Sequence, residues 1–291
     1  PGPRVSGMTW FESPAAVVKS LAEVGYLADQ ATALTVYLAG ALEKPLLIEG
    51  PAGVGKTELA KAVSRATSAD LVRLQCYEGL DEARALYEWN YKKQLLRIQA
   101  ASGASWEETH DEIFTDEFLL RRPLLTAISR VEPTVLLVDE VDKTDVEVEG
   151  LLLEVLSDFQ VTIPEMGTIA AVRRPFVVLT SNAARELSEA VKRRCLYLHL
   201  DYPDSQREKE IVLSQVPEIG DRLATQIVEY AGKLRSLDLK KSPSIAETID
   251  WAHTLVALHL GTLDHDTVKQ TLGVVLKHAS DHDRAIRELR L

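Results

Sequence analysis

Only two cysteines occur among the 291 residues, Cys76 and Cys195, far apart and outside any C-x-x-C or metal-ligand spacing. That excludes a disulfide scaffold and a cysteine-held metal. Two reduced, buried thiols in a cytoplasmic protein are the expectation. No run approaches the roughly 18 uninterrupted apolar residues of a membrane span, and the opening PGPRVSGMTWF lacks a signal-peptide pattern. No membrane span is expected. Positive charge is also scarce: 33 Lys and Arg against 44 Asp and Glu leave a formal net charge of −11. The dense basic clusters are Arg121-Arg122, Arg173-Arg174, Lys192-Arg193-Arg194 and Lys240-Lys241. Nucleic-acid machines ordinarily present a basic face, so the balance disfavours nucleic acid and favours a protein partner. Internal repeats, low-complexity tracts and heptads are absent.

What is present is a chain long enough for one large or two smaller domains, and one stretch stands out. The apolar run 45–49 (PLLIE) ends in GPAGVGKT, residues 50–57. A strand, a Gly-rich turn and a lysine opening a helix make the phosphate-binding loop pattern G-x-x-x-x-G-K-[ST]. A triphosphate needs several backbone N–H groups brought close with no Cβ in the way, as at Gly50, Gly53 and Gly55. The helix behind offers its unsatisfied N–H groups and positive dipole end. The candidate ATP/ADP contacts are therefore Gly50, Pro51, Ala52, Gly53, Val54, Gly55, Lys56, Thr57 and Glu58. Lys56 should reach the β/γ-phosphates and the Thr57 hydroxyl should sit on Mg²⁺. Residues 57–68 read as an amphipathic helix with Leu59, Ala62, Val63 and Ala66 on one face.

Upstream, Ser13-Pro14 suggests an N-cap and first turn after a loose arm at 1–12. The helix it opens breaks at Gly25. A second helix over 29–42 carries Leu34, Leu38, Ala41 and Leu42 as its apolar stripe. Between them Gly25 and Tyr26 are positioned either to pack on an adenine or simply to fill the core.

Downstream, 70–75 alternates as a second strand. Residues 77–118 read as an insertion, with a helical stretch, a Ser/Gly/Ala-rich patch at 100–105 and aromatics Tyr87, Trp89 and Tyr91. A helix is expected over 119–130, starting properly at Pro123. The run 134–140 (TVLLVDE) is a buried strand ending in two carboxylates. Ligands of open α/β sheets bind beyond such strand ends. Asp139 is the candidate Mg²⁺ residue and Glu140 the candidate general base. An apolar helix at 149–159 and a hairpin around Pro164 follow. Another buried strand, 176–181, then leads into Asn182, a candidate γ-phosphate sensor. Before a short fifth strand at 195–199, the cluster at 192–194 presents guanidinium groups suited to phosphate. An arginine there could serve a neighbouring subunit's γ-phosphate. After Asp204 only helical periodicity remains. The stripes are Leu223/Ile227/Tyr230/Leu234/Leu237, Ile245/Ile249/Ala252/Val256 and Val268/Leu272/Val275. His278 and His282, flanked by Asp281 and Asp283, read as a solvated, charged tail.

These landmarks in order resemble an AAA+ ATPase. The resemblance implies an α/β fold: a P-loop αβα sandwich with a five-stranded parallel sheet over residues 1–204, then a small all-α lid over 205–291. The insertion after the second strand and the hairpin before Asn182 resemble the helix-2 and pre-sensor insertions of the MoxR family. The stretches GYLADQATA, LIEGPAGVGKTELAKA, QCYEGLDEARALYEWNY, LLVDEVDK, LLLEVLSDFQVTIPEMGTI and RRCLYLHLDYP are similar to its CoxD subgroup. The similarity covers most of 20–255. It implies a hexameric homo-oligomer with ATP between subunits and an arginine finger in trans, placed on Arg193 with Arg194 second. It also implies a von Willebrand factor A domain partner, and a chaperone role for a metalloenzyme client such as molybdenum–copper carbon monoxide dehydrogenase. One departure concerns the sensor-2 arginine that relatives carry after a Ser-Pro: here the residue is Ser244, with Lys240 or Lys241 as substitutes. A nucleotide-gated assembly switch, a Rubisco-activase-like MoxR ATPase and, less favoured, a nucleic-acid motor are the alternatives.

Overall fold

The computed structural model describes residues 9–100 and 112–291. The first eight residues of the expected arm, and the Ser/Gly/Ala-rich patch from residue 101 onward, lie outside the described residues. The chain forms two compact units. One comprises the described residues up to Val24, then Ala28–Glu49 and Thr57–His199; the other comprises Gly25–Leu27, Gly50–Lys56 and Leu200–Leu291.

The first unit runs α1 (Pro14–Glu23), α2 (Gln30–Ala41), β1 (Leu46–Glu49), nearly all of α3 (Lys56–Ala66), β2 (Asp70–Gln75), α4 (Glu82–Ala85), β3 (Tyr87–Trp89) and α5 (Tyr91–Ala100). It continues through β4 (Leu119–Arg121), α6 (Pro123–Ser129), β5 (Thr134–Asp139), α7 (Val146–Asp158), β6 (Gln160–Ile163), β7 (Gly167–Ala170), β8 (Phe176–Ser181), α8 (Glu189–Arg194) and β9 (Leu196–His199). Five strands pair in parallel in the order β2-β5-β8-β1-β9, which is the expected five-stranded sheet. β5 and β8 are buried at every position, as inner strands of a sheet covered on both faces must be. Their residues Leu136, Val138, Val177 and Leu179 share one core cluster with Leu152 and Leu156 of α7.

Several local features follow their residues closely. Ser13 caps α1, its Oγ accepting from Ala16 N at 3.1 Å, with Pro14 opening the helix. The hairpin pairs Val161 with Ile169 and Ile163 with Gly167. Other expectations are corrected. α2 buries Thr32, Ala33, Val36, Ala39 and Gly40, whereas Leu34 and Leu42 are exposed. The inward face uses small residues because the helix packs closely: a Cβ on Gly40 would stand 3.0 Å from Trp10 Cβ. Residues 119–121, expected as helix, pair antiparallel with β3. The helix begins at Pro123, whose ring suits a first turn and whose missing N–H is not needed there. α7 begins at Val146, three residues before the expected start.

The second unit contains α9 (Ser205–Gln215), α10 (Asp221–Arg235), α11 (Ile245–Ala257), α12 (His265–Val275) and α13 (Ala279–Leu289). Leu223, Ile227 and Leu234 of the first expected stripe lie in its core, with Tyr230 and Leu237 packed at the edge. On α11 the buried face centres on Thr248, Trp251, Ala252 and Leu255, so Ile249 and Val256 flank it. Trp251 Nε1 donates to Thr271 Oγ1 at 2.8 Å, which satisfies a buried indole as burial demands. The segment 278–283 is only partly solvated, with His278 and Asp283 exposed and His282 half-buried. Asp281 is buried and accepts from the Lys240 and Lys241 amides at 3.0 and 3.3 Å. His282 Nε2 lies 2.9 Å from Leu276 O. Among the described residues no cluster of three metal-ligating side chains occurs, and no helix is long and apolar enough to cross a membrane.

Candidate functional site

Within the first unit, the parallel register brings the carboxyl ends of β2, β5 and β8 together. Asp139, the last residue of β5, is almost wholly buried. Its Oδ1 accepts from Thr57 Oγ1 at 2.9 Å and from Thr180 Oγ1 at 2.6 Å. Its Oδ2 accepts from Arg73 Nη2 at 2.5 Å. Glu140 follows in the left-handed region, φ 58°, a conformation that costs a non-glycine residue of order 1 kcal/mol. Thr180 accepts from the Glu140 amide at 2.9 Å, fixing that turn. The Glu140 carboxylate receives Gln75 Nε2 at 2.9 Å, Lys143 Nζ at 2.7 Å and, more loosely, Asn182 Nδ2 at 3.5 Å. Asp142 accepts from the backbone amides of Asn182 and Ala184, at 3.2 and 2.9 Å, and so anchors the turn after β8.

Three carboxylates, Asp139, Glu140 and Asp142, gather at these strand ends, offset in part by Arg73 and Lys143. Burial, and then the charges of Asp139, Asp142 and Glu140, push the Cys76 thiol up to about 12. Burial alone pushes Cys195 up to about 12, against the pull of Arg194. Both cysteines are free thiols, Cys76 buried and Cys195 half-buried. A hydroxyl and a buried carboxylate are oxygen donors that suit a hard divalent cation, so Thr57 and Asp139 fit Mg²⁺.

Within the second unit lies the Gly-rich loop. The Lys56 ammonium is buried and turned into it, donating to Gly50 O at 2.6 Å and Pro51 O at 2.7 Å. Gly53 has φ 77°, and a Cβ built on it would stand 2.1 Å from Ser244 Cβ. A Cβ on Gly50 would stand 1.8 Å from Leu200 O. Both glycines are thus demanded by the protein's own neighbours, besides any phosphate. Ile245 N donates to Gly53 O at 3.2 Å, and Tyr202 OH to Ala52 O at 3.3 Å. The Arg235 guanidinium lies over the Tyr202 ring, 4.7 Å from its centroid, and pairs with buried Glu208 at 2.6 Å. Tyr26 lies alongside the loop, its ring edge 3.8 Å from where a Gly55 Cβ would be. Gln215 Nε2 holds Gly25 O at 2.6 Å. Buried lysine and cradle together fit a polyphosphate. Gly53→Ala is expected to lower the melting temperature by several degrees through left-handed strain and collision with Ser244. Unchanged thermal unfolding would show that this approach relaxes.

Ser244, at the place expected for a sensor-2 arginine, caps α11 in a reciprocal capping box with Glu247. Lys241 Nζ pairs with Glu247 at 3.1 Å. Glu58 is engaged on the α3 surface with Arg65 at 2.7 Å and Lys61 at 3.6 Å. At the end of α8 the two arginines differ. Arg194 is anchored by Ser157 Oγ and by Ala190 O at 3.0 Å. Arg193 is 81% exposed, its nearest ion-pair contact being Glu189 at 4.0 Å.

Arg73, Gln75, Thr180 and Lys143 went unread in the sequence. Strand alternation held the signal for the first two: Arg73 and Gln75 share one face of a strand next to the Asp139 strand.

A family model for the AAA domain (dynein-related subfamily) matches residues 45–195. An uncharacterized protein of Staphylococcus aureus (strain USA300) is 26% identical over 208 residues, covering 67% of this chain and 70% of that protein. Another from Staphylococcus haemolyticus is 25% identical over 224 residues, covering 75% and 77%. Among solved structures, a variant of RuvB from Thermotoga maritima aligns with a TM-score of 0.50 at 19% identity, over 91% of this chain and 71% of that one. That likeness speaks to fold.

Proposed function

We infer that this chain, which belongs to the AAA domain family in its dynein-related subfamily, hydrolyses Mg·ATP as a ring, most simply a hexamer, and uses the cycle to remodel a protein client. The observation that carries the reading is the convergence of Thr57, Asp139, Glu140 and Asn182 at adjacent strand ends. Loop amides and Lys56 would hold the phosphates. Thr57 and Asp139 would hold Mg²⁺, which when bound offsets phosphate charge. Glu140 is set to take a proton from water while Asn182 orients it. Exposed Arg193 suits phosphate in a neighbouring copy. Tyr26, which lies beside Gly55, would pack on the adenine.

The finer assignment rests on the resemblance. It comprises a MoxR-type, CoxD-like ATPase in the cytoplasm, a von Willebrand factor A partner, and a metalloenzyme client such as carbon monoxide dehydrogenase. A Rubisco-activase-like role belongs to the same class. A nucleotide-gated switch with slow turnover is the second reading, favoured by Ser244 serving as a helix cap at the expected sensor-2 place. The net charge of −11 speaks against a nucleic-acid motor. Turnover per subunit should rise with protein concentration and saturate as rings form. A specific rate unchanged on dilution to isolated subunits would overturn the ring. Turnover that stays slow in assembled rings, with the partner added, would favour the switch.

A further inference from the structure

β2 sets Arg73 and Gln75 on one face, opposite Leu137 and Asp139 of β5 in the parallel register. The Arg73 guanidinium donates to Asp139 Oδ2 at 2.5 Å and also to Gln75 Oε1. The acid of this pair is 3% exposed and the base 46%. Asp139 Oδ1 is already engaged by two hydroxyls, so Oδ2 is the oxygen with more remaining capacity for a cation, and a guanidinium rests on it. We propose that Arg73 is a resident counter-ion of Asp139 that an incoming divalent cation must displace. Arg73 is then a positioning residue that sets the Mg²⁺ concentration at which the nucleotide site loads. This rests on the Mg·ATP reading above.

The physical ground is the cost of a carboxylate taken out of water, which is large unless a positive partner compensates it. Arg73 supplies that partner from the neighbouring strand and keeps Asp139 in place for the Thr57 and Thr180 hydroxyls. Two cations cannot share one carboxylate oxygen cheaply, because like charges about 4 Å apart repel. Lys143 does not replace Arg73, because Glu140 engages it, and the Asp142 carboxylate, turned to the backbone amides after β8, adds no positive charge. Arg73 is half in solvent and long, so it can swing away while Asp139 stays. The ion pair therefore lowers Mg²⁺ affinity while protecting the geometry that receives the metal.

The test titrates Mg²⁺ against the 291-residue chain with a fluorescent non-hydrolysable ATP analogue, following binding rather than turnover. Arg73→Met removes the charge and keeps the stem; Arg73→Lys keeps the charge. Arg73→Met is expected to move the half-saturating Mg²⁺ concentration down about tenfold, the scale of one charge-assisted hydrogen bond. Arg73→Lys should stay within about threefold of the unmodified chain. In EDTA, Arg73→Met should melt at a lower temperature than the unmodified chain, the gap closing as Mg²⁺ and analogue are added. If Arg73→Met does not fold, Arg73→Gln takes its place in the same titration. A half-saturation point unchanged or raised in the charge-free variant, with normal binding by the unmodified chain, overturns the role of Arg73 alone. Failure of the unmodified chain to bind the analogue at any Mg²⁺ concentration overturns the nucleotide reading itself.

Discussion

Glu140→Gln is expected to bind Mg·ATP with a Kd within about twofold of the unmodified chain and to lose two to four orders of magnitude in hydrolysis, the usual contribution of a general base. The substitution is nearly isosteric, so the turn that Thr180 fixes through the Glu140 amide should survive. The contacts from Gln75 and Lys143 can persist on the amide oxygen, without the carboxylate's charge. What vanishes is the lone pair basic enough to take a proton from water. Phosphate release and equilibrium binding of a fluorescent nucleotide, measured on the same preparation, separate the two effects. Retained wild-type turnover would remove Glu140 from the role. Lost binding would mean that the carboxylate is a ligand rather than a base.

The second large effect is expected at Arg193. Arg193→Ala should depress turnover by about three orders of magnitude or more, as loss of an arginine finger does, with little change in folding stability, because the side chain is mostly in solvent. Lys56→Ala should abolish productive binding in its own loop. Mixed, the two variants complement each other: the Arg193→Ala subunit retains a working loop and the Lys56→Ala subunit retains a working finger. In a heterologous ring with random mixing at equal amounts, about a quarter of interfaces pair the two intact halves. Partial recovery peaking near equal mixing is the expected result. Flat inactivity at every ratio would return Arg193 to the role of an exposed surface charge. The contrast with Arg194, tied to Ala190 and Ser157, makes Arg194→Ala a useful companion with a smaller expected loss.

The parallel strands were legible because their burial writes itself into composition. Residues 135–138 and 176–179 are uninterrupted, Val-rich apolar runs closed by polar residues, short enough to favour an inner strand over a buried helix. α2 was misread for an equally physical reason. Leucines draw attention as core formers, yet the buried face of α2 includes Ala33, Ala39 and Gly40, whose smallness carries little hydrophobic signal, and Gly40 lies against Trp10. The strand at 119–121 was hidden because its partner β3 is only three residues long and lies some thirty positions upstream. At the site, residues with chemistry in their own motif were visible. Those acting through register, Arg73 and Gln75 above all, needed the pairing of β2 with β5 before their reach towards Asp139 and Glu140 had meaning. Gly50 and Gly53 were attributed to phosphate alone, since one chain of letters cannot reveal that Leu200 and Ser244 press on the same atoms.

Asp281 bears on any effort to shorten the gene. By accepting the Lys240 and Lys241 amides, it lets α13 clasp the turn that feeds the Ser244 cap, itself seated on Gly53. A clone stopping after Lys277 would do more than trim a loose end. Two amides would lose their acceptor, at about 1 kcal/mol or more apiece, and slack would spread to the Gly-rich loop at Gly53. A boundary that keeps Ala279–Leu289 whole leaves that clasp intact.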